Sequence, residues 1–158
     1  MGLLKKRYDY YMDLAYREAE KAFDAGEIPV GAIVVCQDTI IGKGYNQREM
    51  LKDPTAHAEM LAISSAAEYL ESWRLENCTL YVTLEPCPMC AGAILNARIP
   101  RVVFGAYDRE TGMCGSIDNL CDHNLMNHKT TVTGGIMEEK CEIILKSFFN
   151  KIRKQSRD

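Results

Sequence analysis

Nowhere in its 158 residues does this sequence hold an apolar run approaching the roughly 20 residues that a membrane-spanning helix requires, so no membrane partner is expected. The opening stretch Met1-Gly2-Leu3-Leu4-Lys5-Lys6-Arg7 lacks the apolar segment of a signal peptide. A balanced set of cysteines is missing as well, because seven is odd. A chain this long can bury a core without covalent staples, so a secreted disulfide framework is set aside and a reduced, cytoplasmic setting is expected. Repeats, linkers and low-complexity tracts are absent, and residues 1–158 read as one domain. Gly42-Lys43-Gly44 is followed by Gln47 where a dinucleotide fingerprint needs its third glycine. No Gly-Lys-Ser/Thr phosphate loop occurs, and Ser116 lies outside a G-x-S-x-G elbow, which removes the nucleotide-cofactor and serine-hydrolase classes.

Positive charge is also scarce over most of the chain. The 19 Lys and Arg against 22 Asp and Glu give a net charge of -3, on its face an argument against a nucleic-acid partner. The average conceals a split. Residues 1–145 carry 14 basic and 21 acidic side chains, net -7, whereas residues 146–158 set Lys146, Lys151, Arg153, Lys154 and Arg157 against Asp158 alone, net +4. Such asymmetry calls for a partner at one end.

What is present is an alternation of helical and strand patterns. Tyr8, Met12, Ala15, Ala19 and Phe23 share one face of a helix ending near Gly26. Ile28 to Cys36 and Thr39 to Tyr45, separated by Gln37-Asp38, read as a hairpin. A helical pattern runs from Pro54 to about Leu70, a strand from Cys78 to Leu84, a helix from Pro88 to Arg98 and a strand from Arg101 to Ala106. Residues 107–129 form an irregular excursion with room for one short helix, Val132 marks a last strand, and a final helix spans about 137–157. The expectation is an α/β protein with a partly parallel sheet and its ligand site at the carboxyl ends of strands.

Two segments carry chemistry, Pro54-Thr55-Ala56-His57-Ala58-Glu59 and Glu85-Pro86-Cys87-Pro88-Met89-Cys90. Both sit where the chain enters a helix. Cys87 and Cys90, two residues apart at a helix N-terminus, can face one ion, and the positive helix end favours the thiolates a metal requires. Two thiolates and the imidazole of His57 suit tetrahedral zinc and leave a fourth position for water, whose pKa the metal lowers. Glu59 stands two residues beyond a ligand, placed to act as general base and acid. Alternatives remain for the cysteines alone. They fit a redox pair, or half of a closed structural zinc site completed by Cys78, Cys114 or His128.

Taken jointly, H-x-E followed by P-C-x-x-C is the signature of zinc nucleobase deaminases. Through Ile28-Pro29-Val30-Gly31-Ala32, Asn46, Asp53 to Glu59, Leu80 to Cys87, Met89 to Ala93, Val103 to Ala106, Gly115-Ser116, Met126-Asn127-His128 and Phe148-Phe149, the sequence resembles the cytidine deaminase-like superfamily and, within it, the bacterial tRNA-specific adenosine deaminases. The resemblance implies a three-layer α/β/α sandwich with a central mixed sheet of about five strands. It implies a homodimer holding one zinc per subunit, and hydrolytic deamination of the wobble adenosine in a tRNA anticodon to inosine, with an arginine tRNA as the expected substrate. His57, Cys87 and Cys90 would hold zinc, and Glu59 would carry the proton from zinc-bound water to the base. Asn46 would make a polar contact to the nucleoside, Val30 would pack on the base or serve as a strand core residue, and the Ala58 backbone would hydrogen-bond the base. Asp108 is expected to accept from a ribose 2′-hydroxyl, and Asn127 joins the candidate contacts. On the last helix Met137, Cys141, Ile144, Phe148 and Ile152 make the core stripe, while Lys146, Phe149, Arg153 and Arg157 fall on another face suited to phosphates and a stacked base.

Overall fold

Alternate residues of the central strands separate two apolar layers. The computed structural model describes residues 2–158; Met1, which the single-domain reading includes, lies outside the described residues. In order, α1 is Gly2–Asp24, β1 Gly31–Cys36, β2 Thr39–Tyr45, α2 Arg48–Leu51, α3 Ala58–Leu70, β3 Cys78–Leu84, α4 Pro88–Asn96, β4 Arg101–Ala106, β5 Thr131–Thr133 and α5 Glu138–Gln155, with a single 3-10 turn at Leu120–Asp122. Ala32 and Val34 of β1, Leu80 and Val82 of β3, and Val102 and Phe104 of β4 pack against Ala58, Ala62 and Ala66 of α3 and Ile94 of α4. Ile33, Val35, Tyr81 and Val103 point the other way, onto Tyr8, Tyr11, Met12 and Ala15 of α1. The period of two in the strands and of three to four in the helices thus builds an α/β/α sandwich. α5 joins the α1 layer, with Phe148 edge-on to Phe23 at 6.0 Å.

The five strands run in the order β2-β1-β3-β4-β5. β1 is antiparallel to both β2 and β3, whereas β3, β4 and β5 are parallel. One consequence positions everything functional. The amino end of β1, the carboxyl end of β2 and the carboxyl ends of β3 and β4 all lie on one edge of the sheet, as the pairings Gly31 to Tyr45, Ala32 to Val82 and Leu84 to Ala106 require. α3 lies close over β2, where a methyl group at Gly42 or Gly44 would run into the backbone of Ala62 or Ala58. This closeness brings the first turn of α3 to the same edge.

The sandwich and mixed five-strand sheet agree with expectation, and several boundaries move. The helix expected from Pro54 starts at Ala58, because the Asp53 carboxylate accepts from the backbone N–H and hydroxyl of Thr55 at 2.8 and 2.7 Å and holds 53–55 in a turn. The strand expected from Ile28 starts at Gly31, after Pro29. α2, a single turn, had no apolar period to announce it. On α5, Cys141, Ile144 and Phe148 are buried as expected. Ile152 is not; it is 43% exposed, because α5 runs on past Phe148, its last buried residue. Arg157 lies beyond the end of α5 at Gln155, so the helical stripe stops at Arg153. No helix among the described residues is long and apolar enough to cross a membrane.

Candidate active site

Two helix N-termini meet at this sheet edge. His57 is the N-cap of α3 and Cys87 the N-cap of α4, both with extended backbone and neither using its side chain to cap its helix. Pro88, at the first turn of α4, gives up no helical hydrogen bond and fixes the turn that presents Cys87. The uncommitted side chains face each other. His57 Nδ1 lies 3.7 Å from Cys87 Sγ and 3.5 Å from Cys90 Sγ, and the three ligand atoms fall within 4.8 Å of one another. A tetrahedral zinc with Zn–N of about 2.05 Å and Zn–S of about 2.3 Å sets nitrogen and sulfur about 3.6 Å apart. The donor set and its spacing therefore fit zinc.

Electrostatics within the cluster single out Cys87 as its first thiolate. Hydrogen bonds from Cys90 and His57 bring the Cys87 thiol down to about 4, against the burial that raises it. Cys90 moves up, through its hydrogen bond to the Cys87 thiolate, its burial and the nearby Glu59. The same thiolate raises His57. A divalent cation between the three would hold both sulfurs as thiolates whatever this order. Glu59, in the first turn of α3, is only 4% exposed; burial raises its pKa, while a hydrogen bond shared with Cys90 lowers it. A buried carboxyl beside the cluster is placed to take up and release a proton.

None of the candidate fourth protein ligands reaches the cluster. Cys78 begins β3 at its far end beside Cys36, Cys114 pairs with Cys121 at 3.7 Å, and His128 Nε2 lies 3.1 Å from the Ile99 carbonyl. Among the described residues, the metal-capable group consists of His57, Cys87 and Cys90, the set of a site that keeps a position open.

A cleft of about 120 Å³ opens beside the cluster, lined by Val30, Asn46, Ala58, Glu59 and Asp108 among others. Val30, just before β1, is both in the apolar core and on the cleft wall. Asn46 is buried; its Nδ2 donates to the Ile28 carbonyl at 3.2 Å and its Oδ1 accepts from Arg48 N–H at 3.2 Å, leaving one donor and one acceptor for a ligand. Asp108 takes N–H groups from Glu110 and Thr111 and the Thr111 hydroxyl onto its own carboxylate. Asn127 is exposed in the loop before β5 and is not among the cleft residues. Lys146, Phe149 and Arg153 are exposed on α5, in the α1 layer, outside the cleft. Phe149 is 42% exposed and stands edge-on to Phe148 at 5.7 Å.

Three cleft residues were not singled out from the sequence. Arg48 adds a cation to the cleft lining, carried on α2, whose N-terminal amides at Glu49 and Met50 donate to the buried Glu27 carboxylate. Thr111 and Glu85 line the same cleft. A signal for Glu85 was available, since an acid directly after the apolar strand CTLYVTL needs an explanation.

Compared with known proteins, residues 5–106 match the family described as the cytidine and deoxycytidylate deaminase zinc-binding region. A tRNA-specific adenosine deaminase of Bacillus subtilis (strain 168) is 46% identical over 149 residues, covering 94% of this chain and 92% of the relative. A structure from studies of A-to-I editing by tRNA:A34 deaminases at the wobble position of transfer RNA superposes with a TM-score of 0.83 at 40% identity, over 86% of this chain and 99% of that one. The structure of guanine deaminase from Bacillus subtilis gives a TM-score of 0.60 at 41% identity, over 62% of this chain and 63% of its own.

Proposed function

This chain belongs to the cytidine and deoxycytidylate deaminase family and is a zinc-binding hydrolytic deaminase, and on that premise we propose that it converts the wobble adenosine of a tRNA anticodon to inosine, with an arginine tRNA as the substrate. One observation carries the reading. The family match ends at Ala106, yet the likeness to a tRNA-specific adenosine deaminase extends over 94% of the chain, which requires it to take in residues beyond the zinc-binding region.

In the proposed reaction, adenosine and water give inosine and ammonia. His57, Cys87 and Cys90 hold the zinc, which supplies Lewis acidity and brings the ionisation of water toward neutral pH. Glu59 accepts the proton of the attacking water, delivers it to N1 of adenine as C6 is attacked, and then carries the proton of the new C6 hydroxyl to the amine, which leaves as ammonia as the C6 carbonyl forms. The Ala58 N–H, in the first turn of α3, is free of any helical partner and hydrogen-bonds the base. Val30 packs on the ring, Asn46 uses its remaining donor and acceptor on the nucleoside, and Asp108 accepts from the ribose 2′-hydroxyl. A wobble base lies in a single-stranded loop, so splaying it into a cleft of this size costs little unstacking. Asn127 and the α5 stripe would contact the rest of the anticodon loop. The expected assembly is a homodimer in the cytoplasm, with one zinc per subunit.

The decisive experiment incubates zinc-loaded protein with the anticodon stem-loop of an arginine tRNA and, separately, with guanine. Inosine in the RNA is the expected product; no inosine, or faster deamination of guanine, would overturn the proposal. A second outcome follows from α5. Replacing Lys146 and Arg153 by alanine should weaken stem-loop binding and flatten its salt dependence by about 0.7 in the log–log slope for each phosphate left without its cation. Deleting the helix from Lys146 is the poorer test, because Phe148 is buried against the α1 layer. A titration showing an unchanged slope would remove the stripe from the RNA surface.

A further inference from the structure

We propose that Glu85 is a positioning residue that makes the loop after β4 into the outer wall of the cleft. Glu85 follows the last residue of β3 and is 2% exposed. Among the described residues no Lys, Arg or His forms an ion pair with it. Its charge is met by the loop itself. Oε1 accepts from the Asp108 N–H at 3.1 Å and from the Ser116 hydroxyl; Oε2 accepts from the Cys114 N–H at 3.1 Å and the Ser116 N–H at 3.0 Å. Four donors converging on one buried carboxylate compensate its desolvation, and they come from both ends of a nine-residue span, 108–116.

The wrapping is close. A side chain at Gly112 would collide with the Glu85 carboxyl group, and the Met113 N–H adds a bond to the Pro86 carbonyl at 2.9 Å. The anchored loop carries Asp108 and Thr111 into the cleft lining, tied to each other through the Asp108 carboxylate. Pro86 and Cys87 continue directly from Glu85 into α4, so the same short segment supplies a metal-capable sulfur on one side and the anchor for the cleft wall on the other. Glu85 also borders the cleft, but both of its carboxylate oxygens are taken by donors of the loop, so it acts on the substrate through the loop.

This inference rests on the adenosine reading above only for its substrate. Glu85→Gln keeps size but turns an NH2 group toward amide donors, leaving buried donors facing each other. In the zinc-loaded variant, amide hydrogen exchange at Asp108, Cys114 and Ser116 should lose protection while zinc content stays at the wild-type level. The kcat/KM for the stem-loop should fall about 100-fold, the scale of a displaced positioning group. Any preference of the wild type for a target adenosine over 2′-deoxyadenosine should fall toward one. Adding Asp108→Asn should then cost less than it costs in the wild type, because the two changes act through one loop. Unchanged exchange over 108–116, or losses from the two substitutions that simply multiply, would overturn the assignment. Should Glu85→Gln fail to fold, Ser116→Ala removes a single donor and must give the same pattern at smaller amplitude. Were the wild type to leave the stem-loop unedited, the proposed function would fall, and the exchange data would still decide the role of Glu85.

Discussion

Glu59→Ala should stop deamination and leave the zinc where it is. The expected loss is at least the factor of about 100 to 10,000 that positioned proton transfer contributes, and more if the one carboxyl serves both proton transfers. Glu59→Gln separates shape from protonation, since the amide preserves the packing at a position only 4% exposed but cannot carry the proton. Both variants should bind one zinc per chain and retain affinity for the stem-loop, because the metal-capable atoms belong to His57, Cys87 and Cys90 and the proposed RNA surface lies on α5. Metal analysis beside a single-turnover assay reads both. A Glu59→Gln enzyme within tenfold of wild-type turnover would move the proton shuttle elsewhere. A variant that is inactive because it has lost zinc would make Glu59 a structural partner of Cys90.

The separation of roles follows from the topology. Had β1 been parallel to β3, Val30 and Asn46 would have lain at the opposite edge of the sheet from Cys87. The antiparallel pairing of β1 with β3 returns the start of β1 and the end of β2 to the carboxyl edge of the parallel strands. There the two helix N-termini add their positive ends to a cluster that must stabilise thiolates. The acidic bulk of the chain does not oppose an RNA partner on this account. Charge within a Debye length governs an encounter with one short loop, and Arg48 supplies a cation in the cleft lining while the net positive charge of the chain is gathered in residues 146–158.

These relations were unevenly legible in the sequence. The zinc cluster was readable because its parts are chemically rare and their order is specific. The layers were readable because strand residues such as Ile33 and Val34 alternate between cores, while Met12, Ala15 and Ala19 keep a helical period. Short polar elements were not. α2 has four residues and buries none of them, and its position depends on Glu27, some twenty residues earlier, accepting from its first amides. The partners of Glu85 were hidden similarly, because they lie 23 to 31 residues onward in an irregular loop. The start of α3 was misplaced for a local reason, since an Asx turn at Asp53 competes with helix and wins. Ile152 kept the right period but had no sheet left to cover it.

Removal of the metal should reveal which cysteines matter, and the seven divide cleanly. All seven are free thiols. Cys87 and Cys90 share the cluster with His57, whereas Cys36, Cys78, Cys114, Cys121 and Cys141 lie outside it. Chelation of the wild type should abolish activity and lower Tm. Zinc present at a thousand times its Kd adds about 4 kcal/mol to the folded state, which corresponds to roughly 8–16 °C for a chain of 158 residues. Cys90→Ala should bind no zinc, lose the zinc-dependent rise in Tm and show no turnover, although a buried thiol replaced by a methyl leaves only a small cavity. Cys114→Ala supplies the control. Cys114 is equally buried, at 3% exposure, so a comparable packing loss is expected with zinc, its Tm rise and activity all retained. If Cys114→Ala lost zinc and Cys90→Ala kept it, Cys114 would be a ligand, the cluster would not be an open site, and the hydrolytic chemistry would have no place to occur.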